Sequence, residues 1–291
     1  MEQPRVGVII VAGGSGKRMG GTLPKQFALV GGEPILARTI NAFRKALPAS
    51  RIVVVLPSEY IEFWKNLSAR FEVAKHSLVE GGAERFHSVK NGIEALSDAV
   101  DLIAVQDGVR PFASKELILR AVACASENGS AIPVVKAVDS YRIVEGEGSH
   151  IIDRTPLRIV QTPQIFSAPI LRVAYDTDFR EEFTDDASVV EFSGEKISLC
   201  EGDYSNIKIT SPNDIVLAEA IAREKDGKNL EISSWQPRNL LVGAIYYSLR
   251  RPIRTLRLYL RGRICLGVVY IADFGCIGTD DTLHSAPRGG R

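Results

Sequence analysis

Three short segments carry residue types that together could hold phosphate. Val11–Lys25 (VAGGSGKRMGGTLPK) contains Gly13, Gly14, Gly16, Gly20 and Gly21 alongside Lys17, Arg18 and Lys25, and no acidic residue. Glycines let backbone N–H groups close on an anion without a Cβ in the way. The pattern is neither G-x-G-x-x-G nor a Walker A loop, since no GK[ST] follows. A flexible glycine loop with solvated cations is the plainer reading. The preceding apolar run and the three cations favour a phosphate cradle.

The second segment is Ala104–Pro111 (AVQDGVRP), where Asp107 is placed just past the end of an apolar strand and Arg110 follows closely. A carboxylate there can hold Mg²⁺, which bridges phosphate oxygens. It can equally cap the strand in an Asx turn, a common use of Asp-Gly. The third is Asn206–Thr210 (NIKIT), read as β-like, with Lys208 on the face opposite Ile207 and Ile209. Taken alone, Lys208 is an ordinary solvent-facing lysine. Gly81-Gly82 with Arg85 and Ser88, then Ser140, Arg154 and Thr184-Asp185-Asp186 complete the candidates. Arg154 beside Asp153 could be a surface pair worth under ~1 kcal/mol. Asp185 and Asp186 could simply favour a helix N-terminus. His76, His87, His150 and His284 have no partners at ligand spacing and are read as structural or exposed.

The elements that must position these residues alternate in kind. Arg5–Val11, Arg51–Leu56 and Asp101–Gln106 are continuous apolar runs, as in strands buried on both faces. Between them, Pro34–Leu47 carries Ile35, Leu36, Ile40, Phe43 and Leu47 on one helical stripe, with Pro34 suited to the first turn. Ser58 suits the N-cap of a helix holding Phe63, Trp64 and Leu67. Glu84–Leu96 and Ser114–Glu127 read as helices, and Ala131–Val135 as a strand. This βαβα order predicts a mostly parallel sheet with helices on both faces, an α/β fold with ligand loops at the carboxyl ends of the strands. The rhythm breaks at about residue 136, where 138–160 reads as an inserted β-hairpin arm with a turn at 146–148.

Composition sets the outer limits. The 291 residues are 45% apolar and 24% charged, which excludes a disordered, collagen-like or coiled-coil chain. A net charge of +1 gives no bias toward nucleic acid. It divides unevenly, −4 over residues 1–225 and +5 over 226–291. Cys124, Cys200, Cys265 and Cys276 form no CxxC pair and no zinc pattern. With no signal-peptide pattern and no apolar run of ~20 residues, a cytoplasmic chain is expected. Residues 226–291 are read as a basic extension. Arg250, Arg254, Arg257 and Arg261 would form one helical stripe, with Ile253, Leu256 and Leu260 on another. Such a helix could touch a membrane surface or a partner. A helix docked on the body, or an extension with no selected role, is the preferred reading.

AGGSGKRMGG-x-x-PKQF, GGAERFHSV, QDGVRP, DRTPLRIVQTPQIF, TDDAS and NIKIT occur in one order over about residues 5–223. In this the chain resembles the 2-C-methyl-D-erythritol 4-phosphate cytidylyltransferases of the non-mevalonate isoprenoid pathway. The resemblance implies a Rossmann-like sheet and a homodimer exchanging the 138–160 arm. It implies that Ala12, Gly13, Gly14, Gly16 and Arg18 wrap the CTP phosphates, with Arg18 and Lys25 stabilising the transition state. Gly82 and Ser88 would hold the cytidine, and Asp107 would bind Mg²⁺ between nucleotide and acceptor. Arg110, Ser140, Arg154, Thr184 and Lys208 would hold the sugar-alcohol phosphate, Arg154 and Lys208 aiming it. Ser140 and Arg154 would serve the neighbouring subunit. Tyr204-Ser205 stands where some members carry an acid, Ser140 where threonine is frequent, and Gly-Val after Asp107 where Ala-Ala is common. The rivals are a ribitol 5-phosphate cytidylyltransferase, a sugar-phosphate nucleotidylyltransferase using UTP or GTP, and a non-catalytic nucleotide-binding protein tethered by its basic tail.

Overall fold

The computed structural model describes residues 4–14, 24–96 and 99–227, and the backbone of 256–260 and 263–267. The chain divides into two compact units, Met1–Leu230 and Glu231–Arg291. In the first, β1 (Val6–Val11) leads through a 3₁₀ turn at Lys25–Phe27 and a short hairpin, β2 (Leu29–Val30) and β3 (Glu33–Pro34), into α1 (Ile35–Ala46). There follow β4 (Arg51–Leu56), α2 (Ser58–Ser68), β5 (Ser77–Glu80), α3 (Arg85–Ala95), β6 (Leu102–Asp107), α4 (Lys115–Asn128) and β7 (Ser130–Lys136). Next come β8 (Tyr141–Glu145), β9 (Gly148–Ile152), β10 (Arg158–Val160), β11 (Gln164–Ser167), α5 (Ala168–Ala174), α6 (Asp186–Phe192), β12 (Leu199–Glu201) and α7 (Pro212–Lys225).

The main sheet runs β10-β7-β11-β6-β1-β4-β5, with β12 also on β7. Strands β5, β4, β1 and β6 pair in parallel, and β4, β1 and β6 are the strands expected from the apolar runs. β11 enters antiparallel between β6 and β7, and β10 pairs antiparallel with β7. The sequence reading contained neither β11 nor β5. Both are four residues long, and β5 lacks the continuous apolar run of its neighbours.

Alternation along the strands divides the interior between two faces. Val8, Ile10, Ile52, Val54, Leu56 and Ala104 meet Leu36, Ile40 and Phe43 of α1 and Leu117 and Ala121 of α4. Ile9, Val53, Val55, Ile103 and Val105 meet Phe86, Val89 and Ile93 of α3 and Leu171, Val189 and Val190 of α5 and α6. Helices therefore cover both faces. α4 is fixed at both ends: Ser114 Oγ accepts from Leu117 N, and Gly129 closes the helix at φ +80°.

Several expected boundaries move. Pro34 and Pro57 are N-caps, so Ser58 is the first residue of its helix. Asp107 is the last residue of β6 rather than the first beyond it. Asn206–Thr210 has no regular secondary structure; Ile209 N donates to Val109 O at 3.0 Å. Of the arm expected over 138–160, β8 and β9 form a two-stranded sheet that pairs with no other strand among the described residues, while β10 at its end joins the main sheet.

The second unit overturns the expected basic helix. Its described backbone is an antiparallel hairpin, β13 (Leu256–Leu260) with β14 (Arg263–Gly267), in which Leu260 pairs with Arg263. The helical stripe read over 250–261 overlooked a period of two, with Leu256, Leu258 and Leu260 alternating with Arg257 and Tyr259. Arg250, Ile253, Arg254 and Arg261 lie outside the described residues.

Candidate active site at the carboxyl edge of the sheet

β1, β4 and β6 end on the same edge, and their register places Val11 beside Asp107 and Val55. Close contact there demands a small residue. A Cβ on Gly108 would come within 2.8 Å of Ala12 Cβ and 3.1 Å of Val11 O. Ala12 N donates to Val55 O, and Ala12 O accepts from Gln26 Nε2 at 2.7 Å. That bond ties the turn carrying Lys25 to the chain leaving β1. Gly13, Gly81, Gly82 and Ser88 line a pocket of about 190 Å³ with Pro57, Ser58, Glu59 and Glu80. Gly82 N donates to Ser88 Oγ at 3.1 Å, and Ser88 Oγ donates to Glu84 O. A Cβ on Gly82 would overlap His87. Three expected nucleotide residues, Gly13, Gly82 and Ser88, thus share one wall. Gly14 is exposed beside them. Gly16, Lys17 and Arg18 lie outside the described residues.

Asp107 sits at the centre of a charged cluster. Its Oδ2 is 3.0 Å from Lys208 Nζ and 3.4 Å from Arg110 Nε, and its Oδ1 is 3.8 Å from Arg85 Nη2. Its backbone N donates to Thr162 Oγ1 at 3.1 Å. Burial pushes the Asp107 carboxyl up, but Arg85, Lys208 and Arg110 together outweigh it and hold the group below the usual carboxylate range. Arg110 is buried, which lowers its pKa, with Asp107 acting in the opposite direction. It also donates to Asn206 O at 2.9 Å and Val160 O at 3.4 Å. Asn206, fully buried, donates to Thr162 O at 2.8 Å. This lacing presents Lys208, with 44% of its side chain exposed, over a carboxylate only 11% exposed. Alternation read the faces correctly: Ile209 is buried and Lys208 is not.

The acidic pair at the start of α6 divides into two roles. Asp185 is the helix N-cap, accepting from Ser188 N and from Gln164 Nε2. Asp186 does more than favour the helix N-terminus. It is fully buried, takes Arg85 in a two-point pair at 2.9 and 2.7 Å, and accepts from Tyr175 OH at 2.7 Å. Thr184 is exposed immediately before this pair. Arg85, Gln26, Gln164 and Asn206 were not assigned roles from sequence. Arg85 alone stood out beforehand, as the basic residue after a glycine pair.

Ser140 and Arg154 are not part of the Asp107 cluster. They line a separate pocket of about 400 Å³ at the base of the β8–β9 arm with Ile151, Ile152 and Asp153. Arg154 Nη1 donates to Val138 O.

A glycine-walled pocket beside a carboxylate ringed by cations, at the carboxyl edge of a mainly parallel sheet, defines a Rossmann-like nucleotidyltransferase. Residues 6–224 match the family 2-C-methyl-D-erythritol 4-phosphate cytidylyltransferase, and the chain belongs to it. A relative of that name from Bacteroides thetaiotaomicron is 47% identical over 215 residues, 74% of this chain and 98% of its own. Another from Geobacter metallireducens is 42% identical over 228 residues, covering 75% and 97%. A crystal structure of the enzyme of that name from Thermus thermophilus is 35% identical with a TM-score of 0.61, covering 75% of this chain and 99% of its own.

Proposed function

We propose that the chain transfers a cytidylyl group from CTP to 2-C-methyl-D-erythritol 4-phosphate, giving the CDP-alcohol and pyrophosphate in non-mevalonate isoprenoid synthesis. The observation that carries this reading is the charge count around Asp107, three cations on one carboxylate, where two anionic reactants must meet. A phosphate oxygen of the acceptor attacks the α-phosphorus of CTP, and the bond from that phosphorus to the bridging oxygen of the pyrophosphate breaks. A phosphate monoester has its second pKa near ~6 and is mostly dianionic at neutral pH, so the attack needs no general base. What remains is positioning and neutralisation of charge. Lys208 meets the acceptor phosphate, and Gly13, Gly82 and Ser88 hold the nucleotide. Arg18 and Lys25 take the charge that develops on the phosphates. Arg110 braces Asp107 and the Asn206 backbone beneath the acceptor, and Thr184 borders it.

The residues fit a magnesium ion that arrives with the nucleotide. Mg²⁺ takes one or two protein carboxylates together with phosphate oxygens. Asp107 supplies one carboxylate, and its Oδ1 meets Arg85 only at 3.8 Å, beyond hydrogen-bond reach. The described residues hold no group of three or more potential metal ligands. When bound, the ion neutralises phosphate charge.

A homodimer is part of the same reading. Val144 and Ile151 on the arm are 74% and 65% exposed, apolar surface that a second copy would cover. Exchange of the arm would bring Ser140 and Arg154 to the partner's acceptor site. The reaction is assigned to the cytoplasm. Cys124 and Cys200 are free thiols, and no helix among the described residues is long and apolar enough to cross a membrane. Residues 226–291 are given no part in turnover. Equal sedimentation of the full chain and of residues 1–225 with liposomes supports that, and selective sedimentation of the full chain opposes it.

The test is pyrophosphate release from CTP with Mg²⁺ and either methylerythritol 4-phosphate or ribitol 5-phosphate. Release with the first alone is expected. Release with the second alone would transfer the same fold to a different acceptor, and release with neither would refute the reading.

A further inference from the structure

Arg85 is the one cation of the Asp107 cluster that no role in binding or turnover absorbs. It opens α3, three residues after Gly82 and three before Ser88. Its side chain is 29% exposed, but its guanidinium is turned onto a carboxylate rather than left free. Both terminal nitrogens are held by Asp186, 101 residues away, at the start of α6, which shares a core with α3. Asp186 is itself fully buried, and Tyr175 OH closes its Oδ1 at 2.7 Å. One of the same nitrogens lies 3.8 Å from Asp107 Oδ1. A planar guanidinium gripped at two points cannot turn, so its distance from Asp107 is fixed by Asp186.

We infer that Arg85 is a positioning residue: clamped by Asp186 and Tyr175, it sets the Asp107 carboxylate and ties the nucleotide turn at Gly82–Ser88 to the acceptor side at Thr184–Asp186. Three features separate this from a buried ion pair that only supports the fold. The pair joins α3 to α6, the elements that carry the nucleotide wall and the border of the acceptor. Its charge lies 3.8 Å from the Oδ1 of Asp107, beyond hydrogen-bond reach, whereas Lys208 and Arg110 take Oδ2 at 3.0 and 3.4 Å. Without Arg85, Oδ2 would keep both partners and Oδ1 would have none of the three, so the carboxylate would be drawn toward Lys208 and Arg110. Lysine in its place would keep a charge but could not grip Asp186 at two points and face Asp107 together.

This role rests on the proposed reaction, and its test separates the two. Arg85→Gln and Arg85→Lys are compared with the wild type in thermal melting, in CTP affinity by calorimetry, in kcat and KM, and in a crystal structure of each. Loss of such a supporting contact costs about 10–100-fold in activity. In Arg85→Gln we expect a loss of that size in kcat, with KM for CTP within about threefold and Asp107 turned from its present orientation. Arg85→Lys should fall between it and the wild type. If Arg85→Gln does not fold, Arg85→Lys carries the same readouts. A kcat within about threefold of wild type in the folded variants, or an unmoved Asp107 carboxylate, overturns the inference. A wild type inactive with methylerythritol 4-phosphate removes the reaction instead, and the orientation of Asp107 then decides the role of Arg85.

Discussion

The two walls of the site are built from different materials. The wall proposed for the nucleotide is mostly backbone: Gly13, Gly81 and Gly82, a serine hydroxyl, and pocket residues from the ends of β1 and β4. The acceptor wall is made of charged side chains that hold one another, Lys208 and Arg110 on Asp107 and Arg85 on Asp186. The first is shaped by where a Cβ cannot fit. The second is set by ion pairs, two of which, Lys208–Asp107 and Arg85–Asp186, join residues 101 positions apart. Binding of a rigid nucleotide suits the first wall, and charge neutralisation in the transition state suits the second.

That contrast predicts a graded series. Lys25, held beside the glycine chain through the Gln26–Ala12 bond, should matter most. Lys25→Ala is expected to lower kcat about 10²–10³-fold, with the circular dichroism spectrum and melting curve unchanged. Lys208→Ala removes the most exposed of the three cations on Asp107, and a loss of ~10²-fold in kcat/KM for the acceptor is expected, with CTP affinity by calorimetry little changed. Gly82→Ala acts on the other wall. Its Cβ meets His87, and a strain of ~1–3 kcal/mol should raise KM for CTP about tenfold while sparing kcat. If Gly82→Ala lowered kcat as much as Lys208→Ala does, the division between the walls would fail.

The smallest effect belongs to the opposite edge of the sheet. Asp101, just before β6, accepts from Arg5 N, Nε and Nη2, and these bonds hold its pKa at about 2. A carboxyl depressed in the folded chain contributes stability above its unfolded pKa and loses it as pH falls through the folded value. The melting temperatures of the wild type and Asp101→Asn should therefore differ by a constant, small amount above about pH 4 and converge toward pH 2. Turnover at neutral pH should be the same in both.

The glycine loop after β1 stood out in the sequence because its signal is local, a buried apolar run followed by glycines and cations, whereas Gly82 and Ser88 gained a nucleotide role only with the family resemblance. β1, β4, β6, α1, α3 and α4 were legible for the same reason, each carrying its period within a dozen residues. On the acceptor side, Asp107, Arg110, Thr184 and Lys208 stood out as candidates, but only the family resemblance assigned them to the acceptor. Lys208 looked like any strand lysine until the Asn206 and Arg110 bonds put it over Asp107, and its segment is not a strand. Asp186 read as a helix-end acid, since nothing near it in sequence reveals that it is buried against Arg85 and Tyr175. β11 was missed because four residues, placed antiparallel between two parallel neighbours, carry too little pattern to read. The Arg-rich stripe of the extension misled for the opposite reason. A few residues at helical spacing drew attention from the alternation that the β13–β14 hairpin uses.

The most direct test of the account is the fate of the acceptor's phosphate oxygens. Methylerythritol 4-phosphate labelled with ¹⁸O on phosphorus is incubated with CTP and Mg²⁺, and the products are read by ³¹P NMR and mass spectrometry. Attack on the α-phosphorus predicts that all the label stays in the CDP-alcohol, one labelled oxygen bridging the two phosphorus atoms, and that the pyrophosphate carries none. Label in the pyrophosphate, or an unlabelled bridge, would contradict it.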